Sequence, residues 1–399
     1  MGAPIDAAGR AASESRPRAR VEGIDIARGV ASLVMLQGHA YHGWVAAEHH
    51  SSPAYQLTRV LGTLPLPAFL LLSGAAVASR TLLAVERGEG AAALRRRVIV
   101  RGFQILLVGY LVSFASALLD GADGLGTLLR ADVLHVIGLG IALLAWLGIR
   151  PTAGRHLPDP RRLLVFALGA GLLITLAGPW LSRLGLEARG PLRYALALLL
   201  DIPGISRMPL VPLFAWTCAG AVLALGMARS RRARPSPFAA SAGASPRFLW
   251  LLLAAGLVLA TLGSLGASAL LETLGGSFDR RHPAVILNVV ELTGRGLFLL
   301  AASALLAPRL WGWPRVFLLR LGRGSLVIYI VHIPFCYGAL AGPARATLGM
   351  GEASALLLPL IALSFAALLG YEAAKGRLLG LQRRRRARAE GPRARLRGV

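Results

Sequence analysis

The chain has 399 residues, of which 55% are hydrophobic and only 16% charged, yet its formal net charge is +25 and its mean hydropathy is +0.61. An ordinary soluble protein carries about 25% charged residues, so this composition indicates a polytopic membrane protein whose few charges are confined to loops. The hydrophobic fraction excludes intrinsic disorder over most of the length, and continuous rather than alternating apolar runs argue against a β-barrel. The two cysteines, Cys218 and Cys336, lie in apolar segments and by themselves form neither a disulfide framework nor a metal site.

Apolar stretches long enough to cross a bilayer as helices, about 20 residues each, recur along the chain. They predict an all-α polytopic membrane protein with about ten transmembrane helices. The predicted spans are residues 24–46, 57–79, 98–119, 132–149, 162–181, 209–228, 248–271, 284–307, 316–341 and 353–374. The segment 191–201 is apolar but short, which is typical of a surface or re-entrant helix.

The loops between these spans alternate in charge. Arginine-rich loops alternate with loops that are poorer in arginine and hold more of the acidic residues. The positive-inside rule places the arginine-rich set in the cytoplasm, so ten spans leave both termini on the cytoplasmic side of the cell inner (plasma) membrane.

The same pattern predicts three parts of the chain. Residues 1–22 form a basic cytoplasmic tail, residues 23–378 a membrane domain with a flexible cytoplasmic linker at about 229–247, and residues 379–399 a disordered arginine-rich cytoplasmic tail. We interpret the last tail as a topology anchor that contacts anionic lipid head groups. Nucleic acid is not an expected partner, because no aromatic residues interleave the charges and no fold surrounds them.

Ionisable residues inside a predicted span are costly, so each is a candidate functional group. Asp25 and Arg28 share one helical face at the cytoplasmic end of the first span. His39 and His42 follow on the same helix, and His39 lies roughly 16 Å beyond Arg28, in the outer half of the membrane. An imidazole there can act as a general base; His50 follows in the outer loop. A snorkelling arginine, a hydrogen-bonded core histidine and a solvated loop histidine are the structural alternatives.

Two later spans each carry a pair of polar residues that could have either a structural or a functional role. Asp132 and His135 begin the fourth span, where Asp132 either orients an imidazole or simply caps the helix. Glu291 and Arg295 lie four residues apart in the eighth span, where they either neutralise each other or contact substrate.

The ninth span contains Ser325, Tyr329 and His332, the last two on one face near the middle of the membrane. Pro334 frees a backbone carbonyl close to them, which is tolerated where a helix lines a cavity. Together, these patterns predict a cationic inner mouth and an imidazole-rich outer chamber. No metal-ligand signature such as HExxH is present, so we expect no metal.

Several blocks of sequence occur in an order that is typical of one superfamily. The blocks are Arg20 through Asp25, Arg28 and Gly29 to His39; Leu64-Pro65-Leu66-Pro67-Ala68-Phe69-Leu70 through Ser73-Gly74; Asp132-Val133-Leu134-His135-Val136-Ile137-Gly138; Pro209 through Pro212 and Trp216 to Gly220; and Leu321-Gly322-Arg323-Gly324-Ser325 through Tyr329 to His332. They cover residues 20 to about 335. They resemble the transmembrane acyltransferase superfamily, and more narrowly bacterial proteins similar to the heparan-alpha-glucosaminide N-acetyltransferase catalytic domain.

The resemblance implies a membrane-bound acyl-CoA-dependent O- or N-acyltransferase. Such an enzyme moves an acetyl or other acyl group from cytoplasmic acyl-CoA to an amine or hydroxyl of a sugar or glycan on the far side. His39 falls where the acyltransferase-three branch has its first-span catalytic histidine. The glucosaminide branch has its catalytic histidine about eleven residues later, at His50 or its neighbour His49. Both positions stay candidates, and His39 is favoured because it lies inside the membrane helix.

The resulting hypothesis divides the candidate residues by role. The catalytic candidates are His39, His50, Asp132 and His332. The candidates for binding acetyl-CoA or another acyl-CoA, the co-substrate, are Asp25, Arg28, Arg95, Arg96 and Arg97, since arginines bind phosphates well. The candidates for binding the acceptor are His42, His135, Glu291, Arg295, Ser325 and Tyr329. The expected partners are membrane lipid, acyl-CoA and a sugar or glycan acceptor, and a homodimer is left open.

The competing hypothesis is a transporter or flippase of a lipid-linked or glycan substrate. It would use the same intramembrane charged residues as a substrate path. Against it, the sequence shows neither an inverted repeat nor paired broken helices.

Overall fold

The computed structural model describes residues 21–120, 131–152, 154, 156–187, 190, 192–202, 205–273 and 281–395. Within these residues the regular elements are helices, and no strand occurs. The α-helices are α1 (Glu22–Trp44), α2 (Pro53–Gly62), α3 (Pro65–Glu86), α4 (Ala91–Asp120), α5 (Val133–Gly148), α6 (Pro160–Glu187), α7 (Leu192–Leu196), α8 (Leu210–Ala233), α9 (Pro237–Ala242), α10 (Pro246–Thr273), α11 (Arg281–Leu306), α12 (Gly312–Arg323), α13 (Ser325–Cys336) and α14 (Met350–Arg395). The all-α polytopic membrane fold expected from the sequence is therefore confirmed.

Each of the ten predicted spans falls on helical residues; eight correspond to single helices, whereas 57–79 covers parts of α2 and α3 and 316–341 covers parts of α12 and α13. Seven helical segments of the described chain are long and apolar enough to cross a membrane, and an eighth is added if the bent pair α12 and α13 is one span. The other two are α1, which carries several charges, and α5, an apolar helix of 16 residues. The number that crosses the membrane and the cytoplasmic position of both termini stay predictions.

The ninth predicted span, 316–341, is not one straight helix. It consists of α12 and α13, which meet at an angle of 81°. Gly324 separates them with backbone angles of φ −100° and ψ 12°, outside the helical region, and glycine is among the residues least favourable inside a helix. After the bend, α13 packs against α1 and α14.

The flexible linker expected at 229–247 is folded instead. Helix α8 continues to Ala233, and Ser236 caps the short helix α9 by accepting a hydrogen bond from the backbone N–H of Ala239. Ala239 and Ala242 are fully buried, and α9 packs against α1. Buried apolar contacts and a capped helix explain why this arginine- and proline-containing stretch does not behave as a linker.

The two predicted tails are described only in part. Residues 1–20 of the N-terminal tail lie outside the described residues. The C-terminal tail, expected to be disordered, continues helix α14 as far as Arg395.

Helix α1 lies at the centre of one half of the bundle, packed against α3, α11, α12, α13 and α14. Its contact with α12 is very close: a Cβ on Gly322 would overlap the backbone oxygen of Asp25, and one on Gly29 would overlap that of Leu318. Small residues permit such approaches between membrane helices. The other half is built around α8, which packs against α3, α5 and α6. A cavity lies between these two groups of helices.

Candidate functional site

A cavity of about 1330 Å³ runs beside α1. We call the end of α1 that carries Asp25, predicted to be cytoplasmic, the inner end, and the end that carries His42 the outer end. Both residues line the cavity, and they are about 25 Å apart at 1.5 Å per helical residue. The cavity therefore extends along most of α1. Its polar lining includes Asp25, Arg28, His39, His42, Ser73, Arg80, Glu86, Arg101, Asp132, Arg207, Arg231, Arg232, Arg323, Ser325, Tyr329, Tyr337 and Arg345.

His39 and His332 form a hydrogen-bonded pair in the outer half of the cavity. His39 Nδ1 lies 2.7 Å from His332 Nε2, and His332 Nδ1 lies 2.8 Å from the carbonyl oxygen of Ile328. His332 is completely buried, whereas His39 lines the cavity. Helices α1 and α13 thus bring together two histidines that are 293 residues apart in the chain.

Asp132 and Tyr329 form a second polar pair close to the histidines. The hydroxyl of Tyr329 donates to Asp132 Oδ2 at 2.7 Å, and the ring of Tyr329 lies edge-on to that of His332 with centroids 5.8 Å apart. Asp132 Oδ1 accepts from the backbone N–H of Val133 at 2.7 Å, which caps α5. Asp132 is therefore a helix cap and a tyrosine partner at once, and it does not contact the imidazole of His135 through its carboxylate.

His135 does not line the cavity. Its Nδ1 accepts a hydrogen bond of 3.0 Å from the backbone N–H of Asp132, completing a capping box, and its ring lies edge-on against Tyr110 at 4.2 Å. The side chain is fully buried. The structure thus gives this residue a role in holding the start of α5 instead of a contact with substrate.

His50, the second candidate for the catalytic base, also lies off the cavity. Its ring stacks on that of Tyr55 with centroids 4.2 Å apart and an interplanar angle of 7°. Its Nε2 lies 3.2 Å from the carbonyl oxygen of Val45. These contacts fix the turn that follows α1. His42, by contrast, lines the outer end of the cavity. The ring of Tyr337 lies edge-on to the ring of His42, with centroids 5.6 Å apart.

At the inner end, Asp25 joins two arginines from different helices. Arg323 Nε donates to Asp25 Oδ2 at 3.2 Å, and Arg28 Nη1 lies 3.6 Å from Asp25 Oδ1. The Asp25 side chain is only 6% exposed. Ser325, the first residue of α13, lines the cavity next to this cluster.

Of the arginines that the sequence suggested as ligands of the donor, only Arg28 lines the inner end of the cavity. Arg95, Arg96 and Arg97 lie in the first turns of α4 but do not line the cavity, and Arg97 pairs with Glu89. Arg101, one turn beyond them on α4, does line it. The other inner arginines that line it and that the sequence reasoning missed are Arg80, Arg231, Arg232 and Arg323.

Glu291 and Arg295 pair with each other on α11. Arg295 Nη1 also donates to Thr63 Oγ1 at 2.5 Å. Thr63 lines the cavity, but neither member of the pair does. The two side chains thus neutralise each other, which is one of the two roles that the sequence suggested for them.

Two arginines that line the outer end of the cavity, Arg207 and Arg345, are not among the residues predicted from the sequence. Arg207 lies in the loop before α8, within electrostatic range of His39 and His42. Arg345 precedes the segment that hydrogen-bonds to the end of α1 through Ala346 N and Gly43 O, 2.9 Å apart. Neither arginine forms an ion pair with another described residue. The one sequence signal for them is that arginine on the predicted outer side runs against the positive-inside pattern.

Among the described residues, no group of three or more histidine, cysteine, aspartate or glutamate side chains is arranged to hold a metal ion. The polar groups at the outer end include the His39–His332 pair, His42, the Tyr329–Asp132 pair and the two arginines. Such a set can accept a proton, orient a neutral or anionic group and stabilise developing negative charge.

The sequence of the chain matches a known family model. No curated protein matches the chain. The family model described as heparan-alpha-glucosaminide N-acetyltransferase, catalytic, matches residues 20–258, more than half of the chain. The match includes His39 and Asp132 but ends before α13, so Tyr329 and His332 are tied to the site by their contacts alone. The chain belongs to the heparan-alpha-glucosaminide N-acetyltransferase catalytic-domain family, a family of membrane acetyltransferases.

Proposed function

We propose that the protein transfers an acetyl or other acyl group from cytoplasmic acyl-CoA to an amine or hydroxyl of a sugar or glycan on the other side of the membrane. The observation that supports this most directly is the continuous cavity that runs from the Asp25 cluster to His39 and His42. A donor that enters at one end and an acceptor that enters at the other can meet inside it.

The inner end suits the polyphosphate part of the donor. Acyl-CoA is elongated, with phosphates at one end and the thioester at the other. The cavity has a matching polarity, because arginines surround its inner end and imidazoles its outer half. Guanidinium groups bind phosphate in a bidentate manner. With its phosphates near Arg28 and Arg323, the thioester would extend along α1 toward His39, about 21 Å from Asp25.

His39 is the proposed general base. Its imidazole accepts the proton from the acceptor amine or hydroxyl as that nitrogen or oxygen attacks the thioester carbonyl carbon. The tetrahedral intermediate then collapses, the carbon–sulfur bond breaks, and the CoA thiolate takes the proton back from the imidazolium. The products are the acylated sugar and free CoA, and the imidazole returns to its neutral state.

The outer end is the proposed entry for the acceptor. His42, Arg207 and Arg345 line it, and the two arginines make no ion pair with other described residues. Their guanidinium groups are therefore free to donate hydrogen bonds to sugar hydroxyls or to acidic groups of a glycan. Tyr329 also lines the cavity, and its hydroxyl, which donates to Asp132, can accept a hydrogen bond from a sugar hydroxyl other than the attacking one.

The test is a CoA-release assay on the purified protein in nanodiscs, with acetyl-CoA and glucosamine as the first acceptor. His39→Ala is expected to reduce kcat by at least about 100-fold, the usual size of a general-base contribution. His50→Ala is the matched control and should retain near wild-type turnover, because His50 lies off the cavity. Full activity of His39→Ala would exclude His39 as the base, and loss of activity only in His50→Ala would assign the base to His50.

A cavity that reaches both ends of α1 also fits the alternative of a transporter or flippase. Ligand binding separates the two. Stabilisation of the purified protein by micromolar CoA or acetyl-CoA, seen as a rise in Tm, supports the acyltransferase. Movement of a glycan substrate into sealed vesicles in the absence of CoA, without such stabilisation, would support transport.

A further inference from the structure

The hydrogen bonds of His332 determine which of its nitrogens carries the proton. A carbonyl oxygen can only accept, so the 2.8 Å contact between Ile328 O and His332 Nδ1 requires a proton on Nδ1. A neutral imidazole has one protonated and one unprotonated nitrogen. His332 Nε2 is therefore a hydrogen-bond acceptor.

The same reasoning then applies to His39. Its Nδ1 lies 2.7 Å from the accepting Nε2 of His332, so His39 Nδ1 carries the proton and donates it. The ring planes differ by 11° and the centroids are 5.0 Å apart, as expected for two imidazoles joined edge to edge by one hydrogen bond. The unprotonated nitrogen of His39 is its Nε2.

This assignment matters because an imidazole free in solution can carry its proton on either nitrogen. A general base needs its lone pair on the nitrogen that faces the proton to be removed. In His39, Nδ1 is turned to the buried His332, which leaves Nε2 for the cavity that His39 lines.

We propose that His332 is a positioning residue that holds His39 in the tautomer with its lone pair on Nε2. The Ile328 carbonyl keeps the proton of His332 on Nδ1, and the unprotonated Nε2 of His332 in turn keeps the proton of His39 on Nδ1. The proposal rests on the proposed function, in which His39 is the base. When His39 accepts the proton of the acceptor, its Nδ1–H bond to His332 becomes charge-assisted and stronger. A neutral histidine thus orients the base and stabilises its cationic form, a task that a carboxylate performs in other acid–base sites.

The experiment compares three substitutions of His332 in the CoA-release assay. His332→Leu removes the acceptor and should lower kcat by about 10- to 100-fold, the usual cost of losing an orienting partner, with the KM for acetyl-CoA changed less than about threefold. His332→Gln places an amide oxygen near the position of Nε2 and should recover most of the loss. His332→Asn is equally polar but too short to reach His39 Nδ1, and should not recover it.

The control is His156→Leu, which replaces an exposed histidine that does not line the cavity and should leave kcat unchanged. A double variant His39→Ala/His332→Leu should be no slower than His39→Ala alone, because the two residues act as a unit. Wild-type kcat in both His332→Leu and His332→Asn would overturn the proposal. Equal loss in His332→Gln and His332→Asn would do the same, and would remain informative if His332→Leu failed to fold.

A second measurement does not depend on activity. In protein labelled with ¹⁵N-histidine, the nitrogen shifts of His39, assigned by their loss in His39→Ala, should show a protonated Nδ1 and an unprotonated Nε2. In His332→Leu this preference should weaken or reverse. An unchanged tautomer would overturn the positioning role even if the assay confirms His39 as the base. An inactive wild type with the expected tautomer shift would instead contradict the proposed function alone.

Discussion

At the scale of single residues, the arginines at the two ends of the cavity differ in whether they form ion pairs. At the inner end Arg323 contacts the buried carboxylate of Asp25, and Arg232 contacts Glu86 at 2.9 Å. At the outer end Arg207 and Arg345 line the cavity without an ion pair to another described residue. Paired arginines are held in place, whereas arginines without a protein carboxylate keep their full capacity for a ligand.

Substitution of Arg207 or Arg345 by glutamine should therefore weaken binding of the acceptor. A hydrogen bond to a charged group contributes about 1.5–3 kcal/mol, so we expect the acceptor KM in the CoA-release assay to rise by roughly 10-fold or more. The KM for acetyl-CoA should stay the same, because the donor enters at the inner end.

Arg59→Gln is the matched control for these two variants. Arg59 lies within electrostatic range of His42 but does not line the cavity, so its loss should alter the acceptor KM much less. An equal rise in the KM of acetyl-CoA in Arg207→Gln would contradict the assignment of this end to the acceptor.

At the scale of helices, the site depends on the contact between α1 and α12. Arg315 of α12 donates two hydrogen bonds to the carboxylate of Glu22 on α1, at 2.5 and 3.3 Å. Gly322 allows the backbones to touch and thereby brings Arg323 to Asp25. After the bend at Gly324, α13 carries His332 to His39. One close helix contact thus positions both the inner cluster and the histidine pair.

Replacement of Gly322 by alanine should disrupt this arrangement. The new Cβ would overlap the backbone oxygen of Asp25 and lie 3.0 Å from the backbone nitrogen of Gly29, so the helices must separate. Overpacking of this kind costs about 1–3 kcal/mol. We expect a lower Tm of the purified protein and reduced CoA release.

Gly376→Ala provides the control for that measurement. Gly376 lies on α14, and a methyl group added to its Cα would have nothing within 4 Å. Alanine there should leave the Tm unchanged or raise it slightly, because alanine favours helix more than glycine does. Equal effects of the two substitutions would show that the α1–α12 contact has no special role.

At the scale of the whole molecule, the proposed chemistry requires a defined orientation in the membrane. The arginine distribution predicts that the Asp25 end of the cavity faces the cytoplasm. Both cysteines, Cys218 and Cys336, are buried, so an introduced surface cysteine can report the orientation.

Ser51 and Arg87 are exposed residues next to opposite ends of the bundle. With a membrane-impermeant maleimide on intact cells, Ser51→Cys should be labelled and Arg87→Cys should be labelled only after the membrane is opened. The reverse pattern would place the arginine-rich end outside, away from cytoplasmic acyl-CoA.

Much of the site was visible in the sequence because its residues lie on predicted helices. Helical spacing placed Asp25 and Arg28 at one end of α1 and His39 and His42 at the other, and the cavity connects them. The spacing could not separate His39 from His50, since both are histidines near the same helix end. Only the structure shows that one lines the cavity and the other stacks on Tyr55.

The sequence by itself determined the membrane class, the all-helical fold and the position of the helices, because these follow from local hydrophobicity and from the demand that backbone groups in lipid bond within their own helix. The tertiary structure decided which polar residues share a cavity. The pairing of His39 with His332 and of Tyr329 with Asp132 joins residues far apart in the chain. Such contacts depend on how the helices pack and bend, as at Gly322 and Gly324, and no local pattern encodes them.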